Sequence, residues 1–276
     1  VFHFLMRRHA KTGRPEPLAM PAHTLRQMAR GGIYDQLGGG FARYSVDERW
    51  LVPHFEKMLY DNAQLVVALI EAYQLTGDDF FSGVARETLD YVKRDMTHPD
   101  GGFYSAEDAD SEGIEGKFYV WSKDEIDGKL RPEQAAVFND YFGVTEEGNF
   151  EEGGHRGNIL QQTSSLPDIA EKHKKSEQET AKILGEAAAK LFEIRKKRIR
   201  PHLDDKVLTS WHGLMIWAFA RAAAVLDDPS LAEPANDGAV VVLVADVTQQ
   251  RALETQLIQS EKLATGRRDF ASLLRM

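Results

Sequence analysis

The chain has 276 residues, of which 42% are hydrophobic and 28% charged, enough apolar material for one large domain or two modest ones. Its 34 basic and 43 acidic side chains leave a net charge of −9, which argues against a polyanionic partner such as nucleic acid. With no cysteine, disulfides, thiolate metal sites and thiol nucleophiles are excluded, and a reducing cytoplasm is the expected compartment. No apolar run approaches the roughly 20 residues of a membrane span, and no signal peptide is visible.

Helical periodicity dominates the chain. Residues 1–12 and 17–30 read as two helices separated by TGRPEP. A long helix is expected near 56–75, followed by the turn TGDD and a second helix near 79–96. In the latter, Phe81, Val84, Thr88, Val92 and Met96 form one stripe, with Arg86, Asp90, Lys93 and Arg94 off it, so it should bury a single face. The helix at 56–75 carries LVVALI and has no polar side, as suits an inner helix surrounded by neighbours. Further helices are expected at 132–141 and 177–198, and a second inner helix at 208–226. The basic run RKKRIR at 195–200 reads as the C-terminal end of a helix, where cations suit the helix dipole. GGFARYS at 39–45, GGFYSAED at 101–108 and KFYVWS at 117–122 fit loops or small hairpins better than a full sheet.

The pattern repeats internally. Thr12-Gly13 and Thr76-Gly77 close similar helices, and Gly39-Gly40-Phe41 recurs as Gly101-Gly102-Phe103. A shift of 150 residues places Asp61-Asn62-Ala63 on Trp211-His212-Gly213. Hairpins with alternating inner and outer helices, each unit burying its face on the next, describe an all-α fold of the α/α-toroid type. The grammar changes near 230–237. There a polar linker (229–237) leads to the strand-like GAVVVLVADVTQQ and then to RALETQLIQSEKLA, which resembles the start of a coiled coil through which the chain could dimerise.

GGIYDQLGGGFARYSVDERWLVPHFEKMLYDNAQL (31–65), GGFYSAEDADSEGIEGKFYVW (101–121) and RPHLDDKVLTSWHGLM (200–215) together resemble the thioredoxin-domain protein family of spermatogenesis-associated protein 20 and bacterial YyaL. The resemblance covers about residues 1–228. It implies a partial (α/α)6 toroid, related to six-hairpin glycosidases and N-acylglucosamine 2-epimerases, that partners a thioredoxin-like domain in the intact family. Three departures stand out: the thioredoxin-like domain is absent from these 276 residues, the later hairpins of the ring are missing, and His212 stands where the family motif usually has asparagine. The tail, 238–276, resembles the last strand of a PAS domain running into the dimerisation helix of a sensor histidine kinase, without the histidine-bearing box or the ATP-binding region. A fused sensor fragment is thus a third reading of the chain.

In a toroid, loops at one end of the inner helices converge on a central funnel. HFEKMLYDN would sit at its mouth, with Glu56 and Tyr60 four apart on one helix face. His54 and Glu56 are candidate general acid or base residues, set against a purely structural role in which Glu56 favours the helix start and Lys57 pairs on the surface. The acidic loop 107–117 offers Glu107, Asp108, Asp110, Glu112 and Glu115, but lacks the remaining ligands of an EF-hand calcium loop. Asp108 is its candidate catalytic carboxylate, with Asp110 as a sugar-hydroxyl ligand. Asp204 or Asp205 could complete a carboxylate pair with Glu56 or Asp108 of the kind glycoside hydrolysis uses, with Asp205 as the catalytic candidate and Asp204 and Lys206 as binding residues, ahead of a helix capped by Thr209 or Ser210. Trp50, Tyr60, Asp61, Asn62, Trp121, Trp211 and His212 complete the expected substrate-binding set, with the alternative that any single tryptophan fills the core. No strand–loop–helix phosphate site, G-x-S-x-G elbow or HExxH zinc motif occurs, so neither cofactor nor metal is expected. The expected function is acid/base transformation or binding of a carbohydrate-like small molecule, epimerase- or glycosidase-like. The alternative is a non-catalytic scaffold working with a thioredoxin-like domain.

Overall fold

The computed structural model describes residues 1–99 and 101–235; the strand and helix expected at 238–276 lie outside the described residues. In chain order the helices and strands are α1 (Phe2–Thr12), α2 (Glu16–Arg30), β1 (Tyr44–Ser45), β2 (Pro53–His54), β3 (Lys57–Met58), α3 (Leu59–Thr76), α4 (Asp79–Asp95), β4 (Ala106–Glu107), β5 (Asp110–Ser111), β6 (Ile114–Glu115), α5 (Lys123–Lys129), α6 (Pro132–Phe142), β7 (Phe150–Glu152), β8 (His155–Gly157), α7 (Leu166–Lys172), α8 (Glu177–Arg195), β9 (Leu203–Asp204) and α9 (Thr209–Leu226). A 3-10 helix, Pro229–Ala235, follows.

The fold is mostly helical, and its first hairpins pack side by side around α3. α3 is the central inner helix: Val66 to Ile70 are all buried, so every side of the helix meets a neighbour. It packs beside α1 and α9, while α4 lies outside and touches both α3 and α9. As the periodicity predicts, α4 buries Phe81, Val84, Thr88 and Val92 and leaves Arg94 in solvent. α3 and α9 are both 18 residues long and begin 150 residues apart. The turns repeat as well: Gly13 and Gly77 each close a helix at φ 67°, the left-handed conformation that glycine adopts without a Cβ penalty.

Three sequence expectations change here. Residues 53–58 do not open a helix; they form β2 and β3, and α3 starts at Leu59. The helix at α9 has Leu208 at its N-cap with no side-chain cap, so Thr209 and Ser210 are its first helical residues and not its caps. Residues 229–235, expected as a linker, form a 3-10 helix docked on α9 with Leu231 buried in the main core, and Arg86 of α4 pairs with Asp228 just ahead of it.

α6, α7 and α8 do not continue the hairpin series. They pack on one another around Trp121, Val137, Phe138, Ile183 and Leu191, a second core distinct from the hairpin core. α6 turns Ala135, Val137, Phe138 and Phe142 inward, and α8 sets Ile183, Leu184, Ala187 and Leu191 in the same cluster. A third, small cluster of Phe55, Phe118, Tyr119, Val120 and Ile159 lies among the loops.

Those loops are held by short strands. β3, β4 and β9 make one three-stranded antiparallel sheet, with Lys57 opposite Glu107 and Ala106 opposite Asp204. Segments from the three sequence motifs, some 150 residues apart at the extremes, are thereby joined directly ahead of inner helices α3 and α9. This sheet positions the site.

Candidate functional site

The mouth of α3 carries a half-exposed polar cluster. Arg43 donates to Glu56 at 2.9 Å, and the two chains are also tied by the Arg43 N–H to the Glu56 carbonyl. His54 stacks on Tyr44 at 5.0 Å between ring centres, and its Nδ1 lies 2.8 Å from Glu115 Oε1. Its Nε2 is 3.7 Å from Glu56. The acidic loop and the HFEK motif therefore meet, as expected, but through Glu115 and not Asp108.

Tyr60 and Asp61 follow in the first turn of α3. Tyr60 packs edge-on against Trp211 of α9, 4.7 Å between centres, so the two inner helices present adjacent aromatic side chains. Asp61 is the unusual group. Its Oδ2 is inaccessible and has no hydrogen-bond partner among the described residues. Burial pushes its carboxyl up to about 6; nearby Arg43 and Tyr60 pull the other way, and Glu56 adds to the rise. A carboxyl that holds its proton up to about pH 6 beside a second, guanidinium-paired carboxylate is a pairing suited to general acid–base work. Asp61, expected among the binding residues, is by its burial and raised carboxyl the stronger acid candidate. Glu56 and Tyr60 do not share a helix face, since Glu56 precedes the helix, yet both border Arg43 and Asp61.

The other expected site residues divide. Asp108, Asp110 and Asp205 are exposed, and Asp108 Oδ1 only accepts from its neighbour Ala109 N–H. Asp204 is occupied by Lys206 at 2.9 Å on the surface. Among the described residues no group of three or more His, Cys, Asp or Glu is placed to hold a metal ion. The acidic loop instead splits among separate partners, Glu107 on Arg200, Glu112 on Lys117 and Glu115 on His54. Trp121 is fully buried in the second core beneath the Arg198 guanidinium, 3.9 Å above its ring, so its face is not offered to a sugar. Trp50 packs against the hairpin core in a left-handed conformation (φ 63°), its carbonyl receiving the Ile33 N–H.

Asn62 and His212 are loop anchors. Asn62 is fully buried; its Oδ1 accepts the Phe41 N–H at 2.7 Å and its Nδ2 donates to the Phe41 and Met58 carbonyls. His212 Nδ1 accepts the Phe103 N–H at 3.2 Å. Each is the fourth residue of its inner helix, and each holds a Gly-Gly-Phe loop whose glycines have positive φ. The two repeats seen in the sequence are thus one device, and the imidazole does the accepting where asparagine does it in the other copy. Asn62→Ala should cost about 1–3 kcal/mol by orphaning buried backbone groups. Burial holds the His212 imidazole below its ordinary pKa, so the unfolded chain takes the proton first. Stability should fall as pH drops below about 6.5. His212→Asn should remove that slope, as urea unfolding between pH 5 and 8 would show.

Behind the sheet lies a buried ionic network that the sequence reading missed. Asp35 accepts from Arg195 Nη1 and Nη2 at 2.8 and 2.7 Å and from Lys57 Nζ at 2.9 Å. The side chains are 6%, 4% and 4% exposed, so all three charges are out of water. Burial alone would raise the Asp35 carboxyl, but Arg195 and Lys57 hold it well below the usual carboxylate range. Burial lowers the Lys57 ammonium despite Asp35 and Glu107 nearby. Glu107, also buried, accepts from Tyr91 at 3.0 Å and Arg200 at 2.7 Å, and Arg200 reaches on to Asp95. RKKRIR is therefore more than a helix end: Arg195, Arg198 and Arg200 each clamp a carboxylate on another element. The sequence signal was available in strand alternation, which puts Glu107 on the face opposite Asp108.

No family model matches the chain. It is similar to spermatogenesis-associated protein 20 of Homo sapiens, 42% identical over 260 residues that cover 86% of this chain and 33% of that protein. The Rattus norvegicus protein of the same name is 41% identical over 242 residues, covering 80% of this chain and 30% of that one. An uncharacterized protein of Caenorhabditis elegans is 37% identical over 228 residues, 75% of this chain and 31% of that one. The chain spans about a third of the length of these curated relatives. Among solved structures, a family 76 glycoside hydrolase from a bovine Bacteroides thetaiotaomicron strain superposes with a TM-score of 0.38 at 16% identity, covering 85% of this chain and 44% of that one. A sugar epimerase from a ruminal bacterium gives 0.36 at 13%, covering 90% and 73%. Cellobiose 2-epimerase from Spirochaeta thermophila gives 0.35 at 14%, covering 89% and 71%.

Proposed function

We propose that this chain, homologous to part of spermatogenesis-associated protein 20, carries a carbohydrate-binding acid/base site at the mouth of inner helices α3 and α9. The observation that carries the reading is the Asp61 carboxyl, half-buried, unpartnered at Oδ2 and pushed up to about 6 beside the Tyr60–Trp211 aromatic pair. Aromatic edges and faces suit the apolar patches of a sugar ring, and carboxyl, imidazole and guanidinium groups suit its hydroxyls. Asp61 serves as general acid, with Glu56 and His54 as the paired base and orienting group. Tyr60 and Trp211 form the platform. The reaction class is epimerase-like proton transfer next to a carbonyl, or glycosidase-like hydrolysis.

The test is thermal unfolding of the chain with mannose, N-acetylmannosamine and cellobiose at saturating concentration. A site that binds the folded state raises the melting temperature by mass action. No shift with any of the three in the wild type contradicts the reading.

A second reading is a scaffold that docks a thioredoxin-like domain, as in the YyaL-type proteins. It is favoured by apolar side chains left exposed, Tyr44 and Val46 at β1 and Val207 after β9, which are 48%, 63% and 48% exposed. Protein docking at these side chains and sugar binding at Asp61 are separable, because a Val46→Asp, Val207→Asp double variant should lose the first and keep the second.

A further inference from the structure

We infer that Glu115 is a positioning residue: it holds the hydrogen of the His54 imidazole on Nδ1 and leaves the Nε2 lone pair as the proton acceptor of the site. Resting on the acid/base site proposed above, this makes His54, and not Glu56, the base of the pair.

The ring is fixed on two of its sides. His54 lies in β2 opposite Tyr44 of β1, and its imidazole stacks on the Tyr44 ring at 5.0 Å between centres, with 21° between planes. Nδ1 is 2.8 Å from Glu115 Oε1, and the same oxygen accepts the Phe55 N–H at 3.3 Å. Glu115 is itself set by β6, which pairs it with Asp110 of β5. A carboxylate has no hydrogen to give, so a neutral imidazole in this contact carries its hydrogen on Nδ1. Nε2 then bears the lone pair. It has no hydrogen-bond partner among the described residues, since Glu56 Oε2 stands 3.7 Å away.

Glu56 is placed differently. The oxygen that faces Nε2 is the one that accepts from Arg43 at 2.9 Å. A carboxylate oxygen committed to a guanidinium is a poorer proton acceptor than an imidazole nitrogen with an open lone pair. In the epimerase case Nε2 takes the proton next to the carbonyl, the electron pair moves to the carbonyl oxygen, and Asp61 gives its proton there. In the hydrolase case Nε2 takes a proton from the attacking water and Asp61 protonates the leaving oxygen. Either way the charged ring then stands between Glu115 and Glu56, with Arg43 beyond Glu56. Were Glu115 only a tie between β6 and β2, its replacement would change stability and nothing else.

The experiment is ¹⁵N NMR of the histidine side chains of the full chain, titrated to the pH at which the rings are neutral, with His54→Gln identifying the His54 signals. Wild-type His54 should show its hydrogen on Nδ1 and a bare Nε2. In Glu115→Gln, whose amide still accepts the Phe55 N–H and can donate to Nδ1, the form with hydrogen on Nε2 should appear. The same variant should lower kcat about 10²-fold at unchanged KM, with the melting temperature little changed. A wild-type His54 with its hydrogen on Nε2, or a variant that keeps the wild-type tautomer or kcat, overturns the inference. Failure of the sugar site reads separately: no melting shift with any sugar contradicts the carbohydrate proposal, while the tautomer still decides whether Glu115 positions His54.

Discussion

Replacing Asp35 with asparagine should destabilise the fold by about 3–5 kcal/mol, because it leaves the buried Lys57 and Arg195 charges without a carboxylate between them. The loss comes less from the missing attraction than from two cations held side by side away from water. In urea titrations the midpoint should fall while the slope is unchanged. The sign of the pH dependence follows from the carboxyl being held far below its ordinary value in the folded state. The stabilisation is therefore fully present above about pH 4 and is lost only as pH falls toward the folded-state pKa, so the gap between wild type and variant should be flat from pH 8 to about 4 and shrink below it. Gly38→Ala is a steric route to the same outcome. Its Cβ would stand 2.4 Å from Arg195 Nη2 and 2.8 Å from Asp35 Oδ2, so the methyl and the ion pair cannot coexist in place. A D35N midpoint equal to that of the wild type would mean that the network carries no net stability.

Asp61→Asn should lower turnover of a carbohydrate substrate by about 10²–10⁴-fold while leaving sugar binding within a few-fold of wild type, the signature of a lost general acid. Deuterium uptake next to the sugar carbonyl in D₂O, followed by NMR, reads the epimerase case, and release of reducing ends reads the hydrolase case. Since burial raises the folded-state pKa to about 6, the folded state binds this proton more tightly than the unfolded chain. Stability should accordingly decline as pH rises from about 4 to 6, and the asparagine variant should lack that decline. An acid that must be protonated also predicts a rate that falls above about pH 6. A variant with wild-type turnover would remove Asp61 from the chemistry and leave the pocket a binding site at most.

The packing of the hairpin helices was legible because it rests on periodicity. LVVALI has no polar side, so α3 had to be inner, and the Gly-Gly-Phe and Asn62/His212 repeats mark equivalent turns and anchors in two hairpins. The convergence of the three motifs was also legible in outline, through the sheet that pairs Lys57 with Glu107 and Ala106 with Asp204. What escaped was register. Reading 56–75 as one helix put Lys57 on a surface, whereas as a strand residue it faces inward and meets Asp35. The same error chose Asp108 over Glu107, adjacent positions that a strand sends to opposite faces. Arg195 and Asp35 lie 160 residues apart, and nothing local in either segment names the partner. Trp121 showed why one aromatic residue is weak evidence for a sugar platform: burial depends on the packing of α5 to α8, which formed a core of their own.

On the proposed function, a sugar meets the aromatic and carboxyl groups where α3 and α9 begin. The most direct test follows the four tryptophan indole N–H signals by ¹⁵N-resolved NMR during titration with cellobiose and N-acetylmannosamine. The Trp211 signal should move with either sugar, with the buried Trp121 signal unmoved. If Trp211 stays fixed at saturating sugar while the protein remains folded, no carbohydrate occupies the mouth of these helices.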